Sequence, residues 1–114
     1  MNTPSQLHYS SIYRIDKFSV PNAARHQFLN QLNETKDFLD GQTGCRQNLV
    51  LEVQSGSDRF NFVIIVEWDG VDAFEKAKAA MAEERGGSGF NPHEFIAQLG
   101  IEADMANYGA VGTV

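Results

Sequence analysis

The apolar positions along this chain change rhythm several times, and each change predicts an element. In residues 12–20, IYRIDKFSV, β-branched and aromatic residues are interleaved with charges, the mark of a strand, and Pro21 ends it. Over residues 22–41 the spacing lengthens. Ala24, Phe28, Leu32, Thr35 and Leu39 recur every three or four positions, Leu29 and Phe38 widen the stripe, and Gly41 stands where a helix C-cap is wanted. Residues 45–53, CRQNLVLEV, and 60–68, FNFVIIVEW, return to strand character, and the Gly, Ser and Asp between them predict a hairpin. Asp69 is placed to cap a helix over 70–85 with Phe74, Ala77 and Met81 on its inner stripe. The segment GGSGFN is expected to be a flexible loop, followed by a short helix capped by Asn91 and begun by Pro92, and then by a last strand over 102–111.

Strand, helix, strand, strand, helix, short helix, strand is the order of a ferredoxin-like α+β sandwich with an antiparallel sheet. It predicts a single domain over 12–114 behind a polar tail, 1–11. In the third strand, Phe60, Phe62, Ile64, Val66 and Trp68 share one face, while Val63 and Ile65 share the other with Asn61 and Glu67. One layer of helices covers only one face of a sheet, so the branched aliphatic face is expected to meet a second copy of the chain in a dimeric α+β barrel. Burial of that strand within a monomer by long loops is the alternative.

Charge narrows the partners. The chain has 15 acidic and 9 basic residues, a net charge of −6 and no basic run, which argues against nucleic acid and against an anionic membrane surface. The longest apolar run, 62–66, is too short to cross a bilayer, no signal-like segment opens the chain, and the one cysteine allows no internal disulfide, so a cytoplasmic protein is expected.

Few residues carry candidate chemistry. His8, His26 and His93 lack the close paired spacing of metal ligands, and Gly86, Gly87 and Gly89 match neither a phosphate loop nor a dinucleotide fingerprint. No metal and no cofactor are therefore expected, and the glycines read as a hinge. Cys45 reads as a small packed side chain rather than a nucleophile. Trp68 either walls a cleft between sheet and helices or plugs the core. Arg14 and Asp16 share one face of a central strand. They form either a polar patch in that cleft, where an arginine could hold a developing phenolate or enolate, or an ion pair in the dimer layer. Lys17 and Glu67, on the other parity, read as a structural pair. His93 opens a helix whose positive end disfavours imidazolium, which makes it a candidate base; the alternative is a surface histidine in a capping turn.

Taken together, TGCRQNLVLEV, the hairpin after it and FVIIVEWDGVDAFEKA resemble the antibiotic biosynthesis monooxygenase family over residues 12–111. The shared pattern is a Gly-Cys entry to the second strand, a hydrophobic third strand closing on Glu-Trp, an acidic or small cap, and an aromatic residue early in the next helix. The resemblance implies a homodimer with a pocket between helices and sheet in each subunit. Branches of the family oxidise anthrones or quinols with dioxygen and neither metal nor flavin, or break down heme. Trp68 matches. An asparagine four residues before it in the anthrone-oxidising branch is Ile64 here, and a histidine or tryptophan nine residues after it in other branches is Ala77, which disfavours heme.

The expected activity is cofactor-free monooxygenation of a small hydroxylated aromatic or polyketide-like molecule. Phe28, Phe62, Ile64, Trp68, Phe74 and Met81 would line the cleft, His93 would act as base and Arg14 as cation. The alternative is a non-catalytic dimer that holds a hydrophobic small molecule; an isomerase or decarboxylase is a third use of the same scaffold.

Overall fold

The computed structural model describes residues 9–56 and 59–112. The elements are β1 (Ile12–Ser19), a 3₁₀ turn (Asn22–Ala24), α1 (Arg25–Asp40), β2 (Cys45–Glu52), β3 (Phe62–Trp68), α2 (Val71–Ser88), α3 (Pro92–Gln98) and β4 (Glu102–Tyr108). The strands form one antiparallel sheet in the order β2-β3-β1-β4. That is the ferredoxin-like α+β arrangement the sequence predicts. His8 and most of the polar tail lie outside the described residues.

Register fixes the inner face of the sheet, because cross-strand partners point to the same side. Phe18 pairs with Phe62, Asp16 with Ile64, Arg14 with Val66 and Ile12 with Trp68. Phe62, Ile64, Val66 and Trp68 are all buried beneath the helices. At one end, Phe28 of α1 descends between Phe18 and Phe62, with ring centroids 5.1 and 5.2 Å away in edge-on and tilted geometry. Burying a phenylalanine side chain contributes about 1.5–3 kcal/mol, so this aromatic row is the main anchor of α1. On the outer face Leu49, Ile65 and Ile15 stand in one row, and Leu49 and Leu51 are 41% and 48% exposed. Glu67 lies on the same face, fully buried, accepting from Ser11 Oγ at 2.6 Å and Gln47 Nε2 at 2.9 Å.

Several sequence expectations change. Lys17 stands opposite Val63, four residues along the ladder from Tyr13 and Glu67, so Lys17 and Glu67 do not pair. Asp69 does not cap α2: Gly70 holds the N-cap position without a side-chain bond, and Asp69 is drawn to Arg46 Nε at 2.6 Å. Phe60 and Asn61 stay outside β3, because the Asn61 side chain bonds both the N–H and the C=O of Val20. The expected hinge is largely helix. The Ala-, Glu- and Lys-rich run carries α2 through Gly86 and Gly87, and the stop comes at Gly89, whose φ of +76° lets its N–H bond Arg85 C=O. Asn91 does cap α3, accepting from the N–H groups of His93 and Glu94, with Pro92 following at the first helical position. The last strand ends at Tyr108, short of the expected 111.

Gly41 closes α1 in right-handed conformation, and the left-handed turn comes at Gly44, with φ +88°. There β2 passes so close to α2 that a Cβ on Gly44 would lie 2.5 Å from Ala73 Cβ. Gly44→Ala should therefore destabilise the fold by about 1–3 kcal/mol through backbone strain and overpacking together. Chemical denaturation compared with Gly41→Ala, where there is no such clash, is the measurement that checks it.

Candidate functional site

Phe28 fills the space at one end of the inner face; beyond it the sheet carries shorter side chains. Asp16, Ile64, Arg14 and Val66 make a floor too shallow to reach the helices. A cavity of about 520 Å³ remains between that floor, α1, α2 and α3. Phe28, Ile64, Trp68, Phe74 and Met81 line it, together with Arg14 and His93. Phe62, the remaining expected lining residue, does not: it is 1% exposed and packed under Phe28. Two wider hollows, near the turn into α2 and between the ends of α1 and α2, open at the surface, and their ionisable side chains are all exposed.

Trp68 is 3% exposed, so it walls the cavity while packing into the core. It makes no side-chain hydrogen bond among the described residues, which leaves its indole N–H for an occupant.

The register Arg14↔Val66 and Asp16↔Ile64 puts both charges on the helix side rather than in the outer layer. Arg14 Nε donates to Asp16 Oδ1 at 2.6 Å, and Arg14 Nη2 approaches Met105 Sδ of β4 at 3.4 Å. Arg14 is thus already matched by a carboxylate. Burial pushes the Asp16 carboxyl above the ordinary aspartate range, and the bond and charge of Arg14 pull the other way without cancelling it.

Arg85 was not expected. It lines the cavity from the last full turn of α2, half-buried, with its guanidinium 5.9 Å from the centroid of Phe90 and no carboxylate partner among the described residues. Burial lowers its pKa from the usual arginine value, the sign of a cation short of compensation. The signal was in the sequence: Phe74, Ala77, Met81 and Arg85 continue one stripe at spacings of three, four and four. His93 sits at the first turn of α3 with its residue exposed, at the cavity's rim rather than its floor.

Other candidates stay outside. His26 lies exposed on α1, 3.3 Å from Asn30 Nδ2. Burial, and the charge of Asp40, push the Cys45 thiol up, which suits an inert packed group. Among the described residues no three His, Cys, Asp or Glu side chains gather as a metal site would need, and no helix is long and apolar enough to cross a membrane.

No family model matches the chain, and no curated protein matches it. Solved structures do. SnoaB, a cofactor-independent oxygenase from Streptomyces nogalater, superposes with a TM-score of 0.65 over 92% of this chain and 97% of its own, at 23% identity. A protein from Deinococcus radiodurans, provisionally described as an antibiotic biosynthesis monooxygenase, gives 0.65 over 90% and 95%, at 16% identity. MhuD, a heme-degrader from Mycobacterium tuberculosis seen with two hemes in its active site, gives 0.64 over 90% and 98%, at 17% identity. The structural neighbours are thus monooxygenase-type proteins of the kind the sequence resembles, and at these identities the likeness is one of fold.

An aromatic ligand seated against Trp68 should change the intensity or maximum of its fluorescence. Because the chain has one tryptophan, the signal has a single source. Saturable titration with a dihydroxynaphthalene, abolished when Ala77→Phe fills the cavity, is the expected outcome.

Proposed function

We propose that the chain is a cofactor-independent monooxygenase acting on a small hydroxylated aromatic or quinol-like molecule, working as a homodimer of single ferredoxin-like domains over 12–114. One observation carries this reading. An apolar cavity walled by the indole of Trp68 holds a half-buried carboxylate, Asp16, and a cation, Arg85, with no carboxylate partner among the described residues. Such a site favours removing a proton from an aromatic acid and keeping the anion away from water. An electron-rich anion can reduce dioxygen directly. For an activated methylene the balance is complete without another reductant: the carbon loses two hydrogens and four electrons and becomes a carbonyl with one oxygen atom, and the other leaves as water. The oxygenase activity of SnoaB on the same fold supports the reading.

The cation assigned to the anion is Arg85 in place of Arg14, since Arg14 is held by Asp16. Trp68 supplies a wall and an N–H donor. Arg85→Gln should lower kcat/KM by about a hundredfold to a thousandfold, the scale of losing one electrostatic donor at a developing oxyanion. Oxygen-electrode measurements with 1,8-dihydroxyanthrone and with substituted hydroquinones test the reaction. Binding by fluorescence without oxygen consumption would leave a binding module instead.

The dimer rests on the apolar outer face, where Leu49 and Leu51 are exposed opposite the partly buried Ile65 and Val63. A sheet-on-sheet interface burying more than about 1,000 Å² should persist at micromolar concentration. Light scattering should give twice 12.6 kDa, and Ile65→Lys should yield monomer or aggregate. A wild-type mass of 12.6 kDa would remove the dimer.

A further inference from the structure

The geometry points to Asp16, on the floor of the cavity, as the general base that takes the substrate's proton. This rests on the oxygenase reading of the same cavity and assigns its first chemical step.

Three observations converge on Asp16. Among the described residues it is the one carboxylate lining the cavity, and its register partner Ile64 places it in the middle of the floor. Arg14 binds one of its oxygens, Oδ1, at 2.6 Å, while Oδ2 accepts no hydrogen bond among the described residues and no buried side-chain oxygen there lacks a partner. Oδ2 is therefore open to the cavity. The rest of the floor is aliphatic apart from Arg14, which only donates, so a proton donor beside Oδ2 meets one acceptor on the floor. His93, the other candidate, is exposed at the rim, where water competes for its ring.

The step is a simple transfer. The C–H or O–H bond of the bound acid breaks, the proton passes to Oδ2, and the electron pair stays on the substrate as an enolate or phenolate. Arg14 acts as a positioning residue: by holding Oδ1 it aims Oδ2, and it offsets part of the desolvation that favours the neutral form.

Among the described residues, the titratable and charged groups that line the cavity with Asp16 are Arg14 on β1 itself, Lys78 and Arg85 on α2, and His93 on α3; α1, β3 and β4 bring no ionisable group to it. The cations favour the ionised carboxylate and desolvation opposes it, with desolvation the larger effect. The rate of proton removal should therefore rise with pH through a limb set above the ordinary aspartate range. Stability has the opposite sign. A carboxyl whose pKa is raised on folding binds its proton more tightly in the native state, so stability falls as pH rises from the ordinary value to the raised one.

The test separates proton removal from oxidation. Under argon, in heavy water, the methylene protons of 1,8-dihydroxyanthrone are followed by NMR with wild type, Asp16→Asn, Asp16→Glu and His93→Ala. Wild type should accelerate exchange. Asp16→Asn, which keeps the shape and an acceptor for Arg14, should lose at least about a hundredfold, within the range for a general base. Asp16→Glu should recover part of the rate. The asparagine variant should also lack wild type's fall in melting temperature with pH, which shows in the same scans that it is folded. Exchange equal in wild type and Asp16→Asn, or lost only in His93→Ala, would overturn the assignment, as would no exchange with wild type. Exchange that depends on Asp16 without oxygen uptake in air would uphold the base and refute the oxygenase.

Discussion

The structure depends on the seat that Phe28 takes between Phe18 and Phe62. Interiors of proteins are close-packed, and a two-layer α+β domain meets that demand only where side chains from the two layers reach each other. At the Phe18 and Phe62 row they do, through three rings in a line. One row further on, the floor carries Asp16 and Ile64, and the separation set by the aromatic row is too large for them to close. The cavity is the remainder of that mismatch.

The same separation explains which charges are there. A carboxylate on a central strand under a tightly packed helix would cost several kcal/mol. Under a cavity it keeps one face open and the other on Arg14. Three cations and one carboxylate border the space, in a protein whose net charge is −6. The outer field repels anions while the cavity attracts them. A weak acid that arrives neutral and ionises inside satisfies both, and this is the property of phenols and anthrones near neutral pH.

The fold was legible because alternation and helical spacing are each set by local geometry. Period-two patterning named the faces of β3 correctly, and Asn91 with Pro92 marked the start of α3 to the residue. What local pattern does not carry is the relation between strands. Parity within β1 puts Arg14 and Asp16 on one side, but only the register with Val66 and Ile64 says which side. Depth was hidden for the same reason: Phe62 and Ile64 share a face, yet Phe28 covers one and leaves the other at the cavity. Asp69 was misread because a distant arginine, Arg46, competes for it. Gly86 and Gly87 were taken as a break, when a strong helical run outweighs their cost.

Those glycines have a consequence for entry to the cavity. Each glycine inside a helix costs about 0.8–1 kcal/mol relative to alanine, and Gly86 and Gly87 stand together in the last turn of α2, where few hydrogen bonds remain to hold it. The free energy of unwinding is lowest there, so amide exchange begins at this end and moves toward Arg85. Opening at this wall is then a helix–coil equilibrium written into two residues. Its set point can be moved by substituting alanine for either glycine, leaving every atom that lines the cavity in place.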